Sequence, residues 1–236
     1  VRSRRQRQMC IRDRSYAVTG EGNRWENIGA MMNRGIEVAI DGDIIRMNDF
    51  TWNLSANFSY NKNKLLELYN GVEEYVNSTT GLKYMVGHSV TEYFLNRYAG
   101  VNPANGDALW YTADGELTTE FREDDKVMTG KTYESPWAGG FGTTFIWKGI
   151  SLSAQFSWMA KRYVMNNDRF FEESNGIYST YNQSKRLLYN RWKKPGDITD
   201  IPRYDVPAQL DDRFLENTSF PVSYTHLRAH ETRHDL

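Results

Sequence analysis

Apolar and polar residues alternate without a break from Phe50 to Asn61. Phe50, Trp52, Leu54, Ala56, Phe58 and Tyr60 fall on one parity, and Thr51, Asn53, Ser55, Asn57, Ser59 and Asn61 on the other. Successive side chains of a strand point to opposite faces, so this spacing predicts a strand with one apolar and one polar face. A helix would scatter the same rings around its circumference. Residues 150–158 repeat the scheme, with Ile150, Leu152, Ala154, Phe156 and Trp158 against Ser151, Ser153, Gln155 and Ser157. A third strand is predicted over 34–46, where Ile36, Val38, Ile40 and Ile44 alternate with Glu37, Ala39, Asp41 and Asp43. A fourth, over 140–147, sets Phe141, Thr143, Phe145 and Trp147 opposite Gly140, Gly142 and Thr144.

The connections sort these strands into hairpins. Met47-Asn48-Asp49 joins 34–46 to 50–61, and Lys148-Gly149 joins 140–147 to 150–160 as a two-residue turn in which glycine accepts a positive φ. Long polar stretches follow, about 62–85 and 161–214. Short turns alternating with long loops, and strands of roughly ten residues, are what a transmembrane β-barrel requires. A soluble β-sandwich also alternates, but its strands usually run about five or six residues. Trp52, Tyr60, Trp147 and Trp158 lie near strand ends, where a barrel carries its interfacial aromatic girdles. The pattern therefore predicts an all-β chain, a fragment of a large antiparallel transmembrane β-barrel. The alternative is a secreted carbohydrate-binding or carbohydrate-active β-sandwich, whose apolar strand faces would pack together.

The two ends change how the rest is read. Met9-Cys10-Ile11-Arg12-Asp13-Arg14 at one end resembles translated sequencing-adapter sequence, as does Val222-Ser223-Tyr224-Thr225-His226-Leu227-Arg228-Ala229-His230-Glu231-Thr232 at the other. The expected organisation is thus foreign sequence over 1–14, a partial barrel over 15–220, and foreign sequence over 221–236. The sole cysteine, Cys10, falls in the first tail, so no disulfide or thiol nucleophile is expected from the remainder. His226, His230 and His234 would share one face of a helix and mimic a metal site, but they fall in the second tail. The arginine-rich start (Arg2, Arg4, Arg5, Arg7) is set aside likewise.

Without the tails, 21 basic and 27 acidic residues remain of the 29 and 30 in the whole chain. An acidic balance argues against nucleic acid as a partner, because such binding draws its affinity from phosphate neutralisation. Aromatics make up 14% of the chain although the mean hydropathy is −0.69. A barrel whose strands are polar on one face reconciles the two values. No run of about 18 apolar residues is present to form a transmembrane helix.

The same segments carry a family likeness. Asn27-Ile28-Gly29, then Asn33-Arg34-Gly35-Ile36-Glu37, resembles the signature of SusC/RagA-type TonB-linked outer-membrane proteins, and Asn61-Lys62-Asn63-Lys64 is similar to a strand-closing element of that family. Tyr98-Ala99-Gly100-Val101-Asn102-Pro103 with Asn105-Gly106-Asp107-Ala108-Leu109-Trp110-Tyr111, Gly139-Gly140-Phe141, and Phe214-Leu215-Glu216-Asn217-Thr218-Ser219-Phe220 resemble later blocks in the family's order. The resemblance implies the late part of a plugged barrel of about 22 strands. It further implies an outer-membrane location with lipid around the wall, and import of oligomers, glycans ahead of peptides. The TonB complex, reached through an N-terminal part outside this sequence, would supply energy, and a SusD-like surface lipoprotein would cap the barrel.

Side chains with possible chemistry each have an ordinary reading. Glu37, Asp41 and Asp43 share a strand face and suit a polar barrel interior. Asp107, Asp114 and Glu116 lack the donor spacing of a calcium loop, which leaves a turn as the expectation. His88 has no evident Ser–His or Cys–His partnership and is expected to be structural. The pairs Glu172-Glu173 and Asp211-Asp212 are expected to be solvated charge rather than a glycosidase dyad. No catalytic, cofactor or metal site is expected, and no enzymatic activity. The substrate-binding candidates are the loop aromatics Tyr178, Tyr181, Tyr189 and Trp192, set among Asn, Gln, Lys and Arg; exposed rings beside polar groups suit sugar or peptide contacts, or a docked lipoprotein.

Overall fold

A computed structural model describes residues 2–8, 12–14, 25–27, 29–76, 82–178 and 180–229, with side chains over 29–76, 82–178 and 180–222. The chain divides into two units. One comprises the chain up to Thr91, Glu134–Arg162 and the chain from Thr218; the other comprises Glu92–Tyr133 and Tyr163–Asn217.

The first unit is built on the two predicted hairpins. Strand Gly29–Arg46 pairs with Phe50–Leu68, and Trp137–Trp147 pairs with Ile150–Ala160, all antiparallel. The hairpins join edge to edge through Phe50–Leu68 and Trp137–Trp147, in register from Tyr60↔Trp137 to Phe50↔Trp147. At the second turn both Lys148 (φ 45°) and Gly149 (φ 85°) have positive φ, as a type I′ turn requires; its twist matches that of the strands it joins.

The register carries the apolar parity of each strand across the sheet. Ile36 faces Tyr60 and then Trp137; Val38 faces Phe58, Gly139 and Trp158; Ile40 faces Ala56, Phe141 and Phe156. Trp52, Phe145 and Leu152 form a further row, and Phe50, Trp147 and Ile150 the last. Rings meet along the rows, with Phe141 and Phe156 stacked at 4.4 Å and Tyr60 and Trp137 tilted by 35° at 4.2 Å. Gly139 lies beneath the Trp158 indole, where a Cβ would sit 2.8 Å from the ring. Despite this packing the face stays open, with Ile40 68% and Phe141 47% exposed. A sandwich would bury these residues beneath a second sheet. A barrel wall turns them toward lipid. The eleven residues from Trp137 to Trp147 span roughly 33 Å of strand, or about 23 Å of height at a 45° tilt, close to the apolar band of outer-membrane barrels.

The opposite parity is mainly polar, with Ala39, Ala138, Ile146 and Met159 as its apolar members. Glu37 faces Ser59, Asp41 faces Ser55 and Gly142, and Asp43 faces Asn53 and Thr144. The Asn53 amide donates to the Asp43 carboxylate at 3.2 Å, and Arg46 lies 3.6 Å from the same side chain. The strict alternation expected at Ile44 fails. The register shifts between Asp43 and Ile45, so Ile45 rather than Ile44 stands opposite Trp52.

The first hairpin is longer than its hydrophobic pattern, reaching back to Gly29 and on to Leu68. A backbone ladder needs partners, not apolar side chains, and Asn61 to Lys64 find theirs in Gly35 to Met32. Asn63 explains its own motif: its amide donates to Asn33 at 2.8 Å, and its carbonyl oxygen accepts from Val90 N at 2.9 Å and Ser89 Oγ at 3.2 Å. Gly35, in the other half of the motif, passes so close to the Tyr60 carbonyl oxygen that a Cβ would collide with it.

Backbone pairing also reaches the segments expected to be foreign. Arg2–Gln8 lies along Gly29–Arg46, and Phe220–Ala229 lies along Ile150–Ala160. An open sheet edge pairs with an extended chain through main-chain groups alone, so this pairing is independent of where the segments originate. His226 lies in a strand rather than on a helix face, and His230 and His234 lie outside the described residues.

The second unit gathers much of what the sequence presents as loop. Arg97–Val101, Ala108–Tyr111 and Leu117–Thr118 form a three-stranded antiparallel sheet; Glu92–Leu95 pairs with Val127–Thr132, and Tyr163–Met165 with Leu215–Asn217. Two short helices, Asn167–Glu172 and Lys185–Tyr189, are capped by Asn166 and Ser184, whose side chains accept from Arg169 N and Arg186 N. Phe214, Ile201, Trp110 and Leu187 form the centre, each at most 4% exposed.

Candidate functional site

The interior of the second unit is held by buried carboxylates. Asp211 is fully enclosed; its Oδ2 accepts from Trp110 Nε1 at 2.9 Å and its Oδ1 from Arg213 N at 3.0 Å. The Arg213 Nε lies 3.7 Å from Oδ1, an ion pair without a hydrogen bond, while the guanidinium sits over the rings of Tyr98 and Phe214 at 4.3 and 4.5 Å. Burial raises the Asp211 carboxyl pKa, against the pull of Arg213 and the Trp110 donor. Burial likewise raises the Tyr98 phenol to about 12. Asp212 accepts from Tyr98 N at 2.8 Å and meets Lys131 at 3.2 Å. Glu173, 5% exposed, is bracketed by Arg169 at 3.2 Å and Arg186 at 2.5 Å, and both arginines also reach Asp200. The expectation of solvated charge is therefore wrong for Asp211 and Glu173. Each is enclosed by the fold around it, and each is stabilised by an arginine or indole donor that adjacent sequence does not reveal.

The four loop aromatics do not form one site. Trp192 is half-buried; its Nε1 donates to Pro103 O at 3.1 Å, and its indole fills the space that a side chain at Gly106 (φ 78°) would need. Tyr178 is half-buried in a ring cluster with Phe170, Phe171 and Tyr181. Tyr181 stacks on Phe171 at 5.2 Å and 15° and is 53% exposed. Tyr189 projects from the end of Lys185–Tyr189 and is 71% exposed.

The remaining candidates serve local structure. Asp107 is held by Arg203 at 2.9 Å and by Asn105 at 2.7 Å. Asp114 and Glu116 flank Gly115 (φ 93°) in a turn closed by Thr112 N to Glu116 O at 2.8 Å. His88 takes part through its backbone, its carbonyl accepting from Leu65 N at 2.8 Å. Among the described residues, concavities open on the second unit. One of about 720 Å³ is bordered by Tyr189, Arg191, Lys193, Lys194, Asp197 and Ile198; a smaller one of about 320 Å³ lies beside Trp110, Phe121, Val206 and Pro207. Sequence reasoning missed the larger one because its basic residues read as loop charge.

An amphipathic wall of paired hairpins, with a packed unit grown from the long connections, has close counterparts. No protein-family model matches the chain. The RagAB peptide importer in its open-open state superposes with a TM-score of 0.82 and 31% identity over 93% of this chain and 24% of that one. The chain belongs to the SusC/RagA type of TonB-dependent receptor. TonB-dependent receptor P39 of Formosa agariphila is 27% identical over 80% of the chain, and TonB-dependent receptor SusC of Bacteroides thetaiotaomicron is 32% identical over 36%. The chain spans 22% of the P39 length and 9% of the SusC length. Its place is the bacterial outer membrane, and its antiparallel sheet has the fold of a TonB-dependent-receptor barrel wall. The relatives are receptors and transporters rather than enzymes.

Proposed function

We propose that this segment is part of an outer-membrane transporter that imports oligomeric nutrients, driven through TonB and capped by a SusD-like surface lipoprotein. The observation that carries the reading is the wall itself: an exposed apolar band, roughly 23 Å tall at a barrel's usual 45° tilt, backed by a mainly polar face, in the register of Tyr60↔Trp137 to Phe50↔Trp147. The sequence resemblance favours glycans as cargo. Likeness to a peptide importer over 93% of the chain supports peptides instead, and peptides are the cargo proposed here. Tyr181 and Tyr189 are the candidates that keep an exposed ring for contact with cargo or lipoprotein. The test is growth of a strain lacking the full-length gene, complemented or not, on defined peptides or on oligosaccharides as limiting nutrient. Loss of growth on peptides, restored by the gene, supports the reading; a defect confined to oligosaccharides overturns the peptide assignment, and no defect on either overturns import. We further propose that 1–14 and 221–236 are foreign to the gene, which a long sequencing read through the locus tests directly.

A further inference from the structure

We propose that the 720 Å³ cavity beside Tyr189 and Ile198 is a subsite for carboxylate-bearing peptides, in which Arg191, Lys193 and Lys194 receive the anionic group. This rests on the peptide-import reading and deepens it.

Charge supplies the first argument. The chain as a whole is slightly acidic, yet this cavity gathers three cations, and among the described residues none of them meets a carboxylate within ion-pair distance. The acids on the cavity wall are occupied elsewhere. Asp197 accepts from the backbone N–H groups of Lys193 and Lys194 at 3.0 and 3.1 Å, which fixes the turn and leaves both ammonium groups free. Asp200 is held by Arg186 and Arg169. The Arg191 guanidinium is set over the Tyr204 ring at 5.0 Å, and its Nε is buried without a hydrogen-bond partner. A donor left unsatisfied in this way is costly unless a ligand or water completes it.

Shape and polarity supply the second. Ile198 is 94% exposed and Tyr189 71%, so the cations stand beside two apolar side chains that have no cover within the unit. A branched aliphatic next to cations suits a chain that alternates apolar and acidic side chains. A sugar polymer would instead call for flat aromatic platforms, and only one ring is offered. The volume lies within the range of ordinary ligand sites and accommodates a short stretch of peptide rather than a whole oligomer.

The test uses the full-length transporter purified in detergent and two labelled ten-residue peptides, identical except that three glutamates in one are glutamines in the other. Lys193 and Lys194 are both exposed, so K193Q/K194Q leaves the fold intact. The expected result is a roughly five- to tenfold loss of affinity for the glutamate peptide only, with wild-type binding of that peptide weakening as salt rises. Equal losses for both peptides, or no loss for either, would overturn the subsite while leaving peptide import standing. If neither peptide binds the wild type but oligogalacturonate does, and the double variant loses it, the peptide assignment falls together with the reading beneath it.

Discussion

Replacing Asp211 by alanine removes the anion at the centre of the second unit and leaves its partners enclosed. Arg213 has a side chain only 7% exposed, and Trp110 is 4% exposed with its indole N–H directed at the missing oxygen. Removing one partner of a buried ion pair costs about 3–5 kcal/mol, because the other charge stays buried and uncompensated. The orphaned indole donor adds about 1–3 kcal/mol. Relaxation of Arg213 toward the Asp200 carbonyl, already 3.4 Å from its Nη1, offsets part of this, so a net loss of about 4 kcal/mol is expected. That is a large share of a domain's stability. Hydrogen exchange on the full-length protein in detergent is the assay, with Trp137–Trp147 and Ile150–Ala160 as internal references. Amides of Arg97–Val101, Ala108–Tyr111 and Leu215–Asn217 should exchange several hundredfold faster in Asp211→Ala while the reference strands keep their protection. Unchanged exchange in these strands would refute the argument, since it would mean that the enclosed charge can be removed without consequence.

Asp211→Asn retains an acceptor for Trp110 and should cost less than alanine. Because burial raises the native pKa of Asp211 above its ordinary 3.8, the stability linked to its protonation is fully present below that value and lost as pH rises through the raised one, while the share from its hydrogen bonds to Trp110 and Arg213 persists. The asparagine variant should therefore lag the wild type most at acidic pH and least at neutral pH, read from exchange in the same amides. On the wall, Phe156→Lys places a charge near mid-band and should cost about 2–4 kcal/mol, whereas Gln155→Lys on the polar face should be tolerated. The folded fraction on semi-native gels separates the two. Gly35→Ala drives a methyl group into the Tyr60 carbonyl and should reduce barrel assembly, measured on the same gels. Asn63→Ala should leave assembly intact but speed exchange at Val90, whose N–H loses its acceptor.

The wall was legible in the sequence because a strand's period of two writes itself directly into residue order. Phe50 to Tyr60 and Ile150 to Trp158 show a face without reference to anything else in the chain, and Lys148-Gly149 marks the turn between its strands. The extension to Leu68 was not legible, because a main-chain ladder through Asn61 to Lys64 demands no apolar side chains. Nor was the shift at Ile44, which depends on a partner strand's register. The packing of the second unit, whose 161–214 portion presents as a long polar loop, is hidden for a related reason. Its core residues Trp110, Leu187, Ile201 and Phe214 come singly, from segments up to a hundred residues apart, with no period to connect them. Burial at Asp211 and Glu173 is decided by what folds over them, and the partners, Trp110 for one and Arg186 for the other, are remote in sequence or part of another short element. The cavity beside Tyr189 is likewise a product of folding. Residue order supplies three cations and two apolar side chains, but only the tertiary structure turns the local acids away and leaves the cations unpaired around one space.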